Sequence, residues 1–162
     1  MSISAADLFQ RVLEYLDSKA LHYSIEDDAF RLGFNLNNQL KECRMIIDII
    51  SYGNNSFSVR TSCVCPLTVP AEKEARILKF ITKANYGMID GYFTYHPGGG
   101  HPDEGTIAYT CLLLCNEIIP TLNDTKLSIE FPLQTMAQYG DALYNILKLN
   151  ADPDEEIQRV EG

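Results

Sequence analysis

Alternation of apolar and polar residues between positions 30 and 64 is the feature that most limits how this chain can fold. Every second residue from Phe30 to Leu36 is apolar and the residues between them are small or polar, which is the period of a half-buried strand. Apolar residues also fill positions 43–51 and 57–64, and Gly and Asn at 53–55 suit a tight turn because they accept positive φ angles. Because the links between these segments are short, we predict three antiparallel strands in a meander.

Three amphipathic helices and two further strands complete the predicted fold. Apolar residues recur at helical spacing over 4–19, from Pro70 to about Tyr86, and over 131–149. Strands are predicted at 91–96 and 106–114, joined by a Pro- and Gly-rich loop at 97–105. Three successive leucines at 112–114 indicate burial on both faces, which places this fifth strand inside the sheet. The predicted fold class is α+β, with a five-stranded antiparallel sheet and the order α-β-β-β-α-β-β-α.

Length and composition predict one domain over 1–162. The chain has 162 residues, of which 46% are hydrophobic and 22% charged, and this balance is typical of a packed globular domain. Residues 152–162 form an acidic C-terminal extension. It begins with a cap residue, Asp152, and a first-turn proline, Pro153, so we expect a short helical turn through Val160.

The charge of the chain excludes some classes of partner. The formal net charge is −9, and the thirteen Lys and Arg residues are scattered, so nucleic acid and anionic membrane surfaces are not expected partners. Basic polypeptides remain compatible with this charge. No apolar run approaches the roughly 18 residues of a membrane span, and the first residues do not resemble a signal peptide. We therefore expect a cytoplasmic protein.

The loop at 96–105 holds the residue types of a divalent-cation site. His96, His101, Asp103 and Glu104 lie within nine residues around a glycine-rich bend. Their spacing is not anchored on regular structure, so we interpret them as surface residues. The glycines at 98–100 are not a phosphate-binding loop, because no Lys-Ser or Lys-Thr follows and no helix begins there.

Cysteines and paired acids are the remaining candidates for chemistry. Four cysteines on two strands are conceivable as a zinc site if those strands face each other, but the strand pattern favours reduced thiols that pack in the core. A thiol nucleophile needs a nearby base, and no histidine is adjacent in sequence to any cysteine. Acid pairs at 27–28, 103–104 and 155–156 fall in turns or tails, where carboxylates are solvated. We expect no catalytic residue, no bound metal and no cofactor. The cysteines are Cys43, Cys63, Cys65, Cys111 and Cys115.

Three segments carry a resemblance to a known family. They are Lys83-Ala84-Asn85 at the end of the second helix, Asp90-Gly91-Tyr92-Phe93 with residues 105–109 in the hairpin, and Tyr139-Gly140-Asp141 followed by residues 152–156. With the order of elements, they resemble the type III secretion chaperone-like fold and, within it, the YbjN family of bacterial sensory transduction regulators. The resemblance covers nearly the whole chain and departs from the family at the extended tip, 97–102. It implies a non-enzymatic protein that dimerises and contacts other proteins.

The second helix is the predicted interface. Ile77, Phe80, Ile81 and Ala84 form one apolar row, whereas other apolar residues of this helix point elsewhere. We predict a homodimer that uses these four residues; the alternative is a monomer in which the third helix covers the second. The predicted function is a regulatory or adaptor protein. Two alternatives stay open: a secretion chaperone that binds an effector polypeptide, and a metal-dependent enzyme that uses the 96–104 loop.

Overall fold

A computed structural model describes residues 2–99 and 103–162, which form one antiparallel sheet and four α-helices. The strands lie in the order β1-β2-β3-β4-β6-β5 across the sheet. The α+β class and the antiparallel sheet are confirmed. The elements are α1 (Ala5–Ser18), β1 (Ser24–Glu26), β2 (Ala29–Asn35), β3 (Glu42–Gly53), β4 (Ser56–Val64), α2 (Glu74–Tyr86), β5 (Tyr92–His96), β6 (Thr106–Asn116), α3 (Leu122–Leu149) and α4 (Pro153–Glu161), with a 3-10 turn at Ala71–Lys73 before α2.

The predicted meander is present as β2, β3 and β4. Asn54 and Asn55 have φ angles of 51° and 58°, which form the tight turn between β3 and β4. Across the sheet, the register aligns Phe30, Ile47 and Thr61 on one face. This face is the inner one, because its side chains are buried beneath the helices.

The prediction of five strands was wrong, because β1 adds a sixth. Asp27 and Asp28 have φ angles of 53° and 58°, so they form a two-residue turn that pairs Glu26 with Ala29. All three residues of β1 are exposed, so no apolar alternation marks the strand in the sequence. The polar segment before β2 is therefore part of a β-hairpin and not an irregular connection.

The third helix begins at Leu122, nine residues before the predicted start at 131. Thr121 and Asp124 form a capping box, in which each side chain accepts the other residue's backbone N–H at 3.0 Å. Pro132 lies inside the helix and lacks the N–H that would bind the Ser128 carbonyl, which masks the continuity of the helix in the sequence. The C-terminal extension forms α4, with Asp152 as its cap.

Helices α1, α2 and α3 pack on the inner face of the sheet. Helix α1 buries Leu8, Val12 and Leu16 against β2 and β3, while α2 and α3 cover β4, β6 and β5. Helix α4 packs on α2 and α3. Each large apolar side chain buried in this way contributes roughly 1.5–3 kcal/mol to stability. The other face of the sheet, which we call the open face, carries no described helix.

Strand β6 lies inside the sheet, as predicted, and its neighbours are β4 and β5, but its leucines are not buried on both faces. Leu112 and Leu114 point to the open face and are 43% and 61% exposed. Strand β5 pairs only with β6 residues up to Thr110, so it does not reach these positions. Leu112 and Leu114 are therefore exposed although β6 is an interior strand, because its neighbour β5 does not extend beside them.

Candidate protein-interaction surface

The second half of β6 is an unpaired sheet edge. The N–H of Cys65 binds the Ile107 carbonyl at 2.9 Å, so odd-numbered residues of β6 direct their backbone groups toward β4. Even-numbered residues therefore direct theirs to the opposite side, where β5 ends with Tyr92 opposite Thr110. No described strand pairs with β6 on this side beyond Thr110. The backbone groups of Leu112 and Leu114 consequently face an open edge.

Apolar side chains surround this edge. Leu112 and Leu114 are followed by Ile118 and Ile119 in the connection to α3 and by Leu122 at the start of α3, which are 75%, 37% and 43% exposed. We call these five residues the edge patch. Exposed apolar residues concentrated at one unpaired strand are typical of an interaction site or an aggregation hazard.

A cavity of about 230 Å³ lies between β6 and α3, next to the edge patch. Cys111 and Leu113 of β6 and Leu127 and Phe131 of α3 supply apolar walls, and Asp90 and Asp124 contribute carboxylates. The Asp124 carboxylate accepts hydrogen bonds from Thr121, which lower its pKa and keep it charged. The cavity can therefore take an apolar side chain beside a negatively charged rim.

The outer edge of β5, in contrast, is covered at Phe93. The Asn85 side chain at the end of α2 accepts the Phe93 N–H at 2.6 Å and donates to the Phe93 carbonyl at 2.9 Å, as a neighbouring strand would. Gly91 allows the close approach of β5 to β6, because a Cβ at this position would lie 2.4 Å from the Thr110 carbonyl oxygen. The chain thus blocks the edge of β5 at Phe93, whereas the second half of β6 has no such cover among the described residues.

The segments that carry the family resemblance serve the fold. Asn85 and Phe93 form the edge contact, and Asp141 accepts the Gln39 N–H at 2.8 Å. At Gly140, a Cβ would lie 2.3 Å from the Asn38 amide nitrogen, so only glycine fits without displacement. The C-terminal segment attaches α4 to α2 through Asp154, which binds two lysines. These contacts position elements and form no reactive site.

The predicted interface residues lie in the core. Ile77, Phe80, Ile81 and Ala84 are 0%, 0%, 6% and 0% exposed and pack against α3 and the sheet. While this fold is kept, these side chains contact their own chain and present no surface to a partner. The homodimer itself stays a prediction, and it requires a different surface.

The residues of the 96–105 loop are only partly described. Glu104 is hydrogen-bonded to the Thr68 hydroxyl, His96 ends β5 and is exposed, and Asp103 has a φ of 71°. His101 lies outside the described residues. Among residues 2–99 and 103–162, no group of three or more His, Cys, Asp or Glu is arranged to hold a metal ion.

The cysteines are buried on the inner face and do not form the four-sulfur cluster considered from the sequence. The Cys63 thiol donates to the Cys43 sulfur at 3.1 Å, which raises the pKa of Cys63 and lowers that of Cys43. Burial raises the pKa of Cys65 and Cys111 to about 12. The thiols of Cys63, Cys65 and Cys111 therefore stay protonated near neutral pH and are poor nucleophiles.

The edge patch is not predicted from the sequence. The leucines at 112–114 are interpreted there as evidence of two buried faces, and no use is made of the neighbouring Ile118-Ile119 pair. A pair of exposed isoleucines after a strand is the signal that points to this surface.

Comparison with known proteins supports the fold alone. No family profile matches the sequence, and no curated protein matches it. The fold defines an α+β domain with one antiparallel sheet and helices on one face. Among solved structures, it is similar to YbjN from E. coli, described as a candidate transcription regulator, with 9% sequence identity and a TM-score of 0.57 over 79% of this chain and 84% of that chain. The resemblance to the YbjN fold inferred from the sequence is confirmed.

No helix within residues 2–99 and 103–162 combines the length and apolarity needed to cross a bilayer.

Proposed function

We propose that this protein is a non-enzymatic protein-binding domain, of regulatory or adaptor type, and that it binds its partner at the edge patch. The observation that carries the proposal is the free edge of β6, where the backbone groups of Leu112 and Leu114 lie among exposed apolar side chains. An extended segment of another polypeptide can pair with such an edge as an additional strand.

The neighbouring carboxylates indicate which segment fits. Asp90 and Asp124 line the cavity beside β6, and the whole chain has a net charge of −9. A partner segment with alternating apolar and basic side chains would place apolar groups in the cavity and positive charges near its rim. Such a partner also agrees with the likeness to YbjN, because a regulator with this charge acts more readily through a protein than on DNA directly.

A secretion chaperone is the second candidate, since a free sheet edge also suits an effector held in extended form. The nature of the bound protein separates the two functions. A regulator captures a protein that resides in the same compartment, whereas a chaperone captures the N-terminal segment of one exported protein. The metal-dependent enzyme has less support, because the Glu104 carboxylate is already bonded to Thr68.

Site-specific photo-crosslinking in the source cells tests this proposal. A photoreactive amino acid at Ile118, in the edge patch, should give a discrete adduct that mass spectrometry identifies. The matched control carries the same group at Tyr86, which is 96% exposed but lies at the end of α2. Absence of any adduct that is specific to position 118 would refute binding at the edge patch.

Two substitutions at one residue test strand pairing itself. Leu112→Pro removes an N–H that faces the free edge and leaves the hydrogen bonds to β4 in place, because Leu112 does not direct its backbone toward β4. Leu112→Ala shortens the same side chain and keeps the N–H. We expect the Pro variant to lose the adduct at Ile118 and the Ala variant to retain most of it. Equal loss in both variants would mean that the partner recognises the side chain and not the strand edge.

A further inference from the structure

Three of the five cysteines lie together where β3 begins and β4 ends. The antiparallel register aligns Met45 with Cys63, so Cys43 is a diagonal neighbour of Cys63 on the same face. Cys65 follows directly after β4, two positions from Cys63, and points to that face as well. The fold thus brings together thiols from two segments that lie 20 positions apart in the sequence.

The sulfur atoms of Cys43 and Cys63 are 3.1 Å apart. A disulfide has a sulfur–sulfur distance of about 2.05 Å, so the two atoms need to approach each other by only about 1 Å. Strand β3 is paired with β2 and β4, and β4 is paired with β3 and β6, so both cysteines lie in interior strands. The sheet therefore holds these two thiols close to the separation of a disulfide while both are reduced.

The two thiols differ in their access to solvent. Cys43 lines a cavity of about 420 Å³ together with Cys65, Pro66 and Thr68, whereas Cys63 is fully buried. A water molecule takes up about 30 Å³ in the liquid, so the cavity has room for hydrogen peroxide, which is only slightly larger. Because Cys43 is only 2% exposed, a small oxidant can reach its sulfur and a bulky reagent cannot.

The hydrogen bond between the two thiols gives them different roles. The Cys63 thiol donates to the Cys43 sulfur, which lowers the pKa of Cys43, although burial and the Glu42 carboxylate act against this change. The same hydrogen bond raises the pKa of Cys63, so Cys63 keeps its proton. Because the thiolate is the form that reacts with an oxidant, Cys43 is the thiol that reacts first.

We infer that Cys43 and Cys63 form a thiol-oxidation site, which reacts with a hydroperoxide and closes a reversible disulfide between β3 and β4. The Cys43 thiolate attacks one oxygen of hydrogen peroxide, so that an S–O bond forms, the O–O bond breaks, and hydroxide leaves and takes up a proton as water. The Cys63 sulfur then attacks the Cys43 sulfur, the S–O bond breaks, and the Cys63 proton leaves with the hydroxide as a second water. Two electrons pass in total from the sulfurs to the peroxide. Neither cysteine belongs to the edge patch, so this inference is independent of the proposed function.

Mass spectrometry of the folded protein after treatment with hydrogen peroxide tests this site. Trypsin cuts after Lys41, Arg44 and Arg60, so the disulfide should join the peptide 42–44 to the peptide 61–73. This linked pair should be lighter than the two reduced peptides by two hydrogen atoms, and dithiothreitol should separate it. Fragmentation of the linked pair should locate the bond at Cys63. Absence of the linked pair, or a bond from Cys43 to Cys65, would overturn the inference.

Two alanine variants test the assignment by a second route. Cys63→Ala removes the thiol that closes the disulfide, so linked peptides should form at least tenfold more slowly and Cys43 should gain an oxygen instead. Cys65→Ala is the matched control, because it removes another buried thiol beside Cys43, and it should form the disulfide like the wild type. Equal rates in the two variants would show that Cys63 is not the partner of Cys43. Circular dichroism checks that both variants are folded, and if one is not, fragmentation of the wild-type linked pair decides.

Discussion

Removal of the Asn85 side chain should destabilise the protein far more than an ordinary substitution near the end of a helix. In Asn85→Ala, the Phe93 N–H and C=O lose partners at 2.6 and 2.9 Å while Phe93 itself stays only 3% exposed. A buried backbone group without a partner costs about 1–3 kcal/mol. Alanine recovers about 0.5 kcal/mol through its better helix propensity. We therefore expect a net loss of roughly 2–4 kcal/mol in the free energy of unfolding.

Urea unfolding followed by circular dichroism measures this loss. With an m-value of about 2 kcal/mol/M, the midpoint should fall by roughly 1–2 M while m stays unchanged. Thr82→Ala is the control, because Thr82 is an exposed residue of the same helix whose hydroxyl bonds only to the Leu78 carbonyl. We expect it to lie within about 0.5 kcal/mol of the wild type. If Asn85→Ala also lies within that range, the hydrogen bonds between Asn85 and Phe93 do not contribute to stability.

Three further predictions concern packing, pH and thiol reactivity. Gly140→Ala should lower stability by about 1–3 kcal/mol, because the added Cβ would overlap Asn38. Gly87→Ala is the control and should not lower it, because the space around Gly87 is open. In thermal melts, the Gly140 variant should therefore unfold at a lower temperature than the Gly87 variant. Hydrogen bonds from Lys79 and Lys83 lower the pKa of Asp154. At a pH above the ordinary aspartate pKa of about 4, the charged Asp154 therefore stabilises the docking of α4. This contribution is lost as the pH falls through the lowered pKa of Asp154. The protection factors of the α4 amides, which compare their exchange with that of an unfolded chain at the same pH, should therefore fall under acid in the wild type, and a flat response identical to that of Asp154→Asn would contradict this. The five buried cysteines should resist a maleimide reagent at neutral pH until urea unfolds the chain. Rapid labelling of the native protein, detected by mass spectrometry, would disprove this.

The elements with strong local signals were predictable from the sequence. The meander follows from period-two alternation and from Asn54 and Asn55 in the turn, and α1 follows from its cap and apolar spacing. Strand β1 gave no signal because a three-residue exposed strand has no pattern of burial. Its existence depends on the paired positive φ angles of Asp27 and Asp28, which many sequences with two aspartates do not adopt.

The interaction surfaces were not predictable from local patterns. An apolar row on a helix, such as that of Ile77 and Phe80, is the same whether it faces the core or a partner, and here α3 and the sheet bury it. The exposure of Leu112 and Leu114 depends on where β5 ends relative to β6, which is a relation between two segments.

The position of β6 beside β4 has a consequence for how the chain reaches its native state. The β2–β3–β4 meander closes short turns, whereas the β4–β6 ladder joins Val64 to Ala108 and Ser56 to Asn116, partners that are 44 and 60 positions apart. Closure of a loop of this length costs roughly 2 kcal/mol more than that of a four-residue turn, so the meander should form first and β6 should join it later.

During that interval β4 is a temporary edge strand on which other chains can pair. Arg60 lies in the middle of β4 and carries a charge at this position. A charged side chain on an edge strand discourages pairing with the wrong chain. Its ion pair with Asp48 joins β3 to β4, so it needs only this hairpin and not β6. We therefore expect Arg60 to discourage pairing of β4 with a wrong strand until β6 docks.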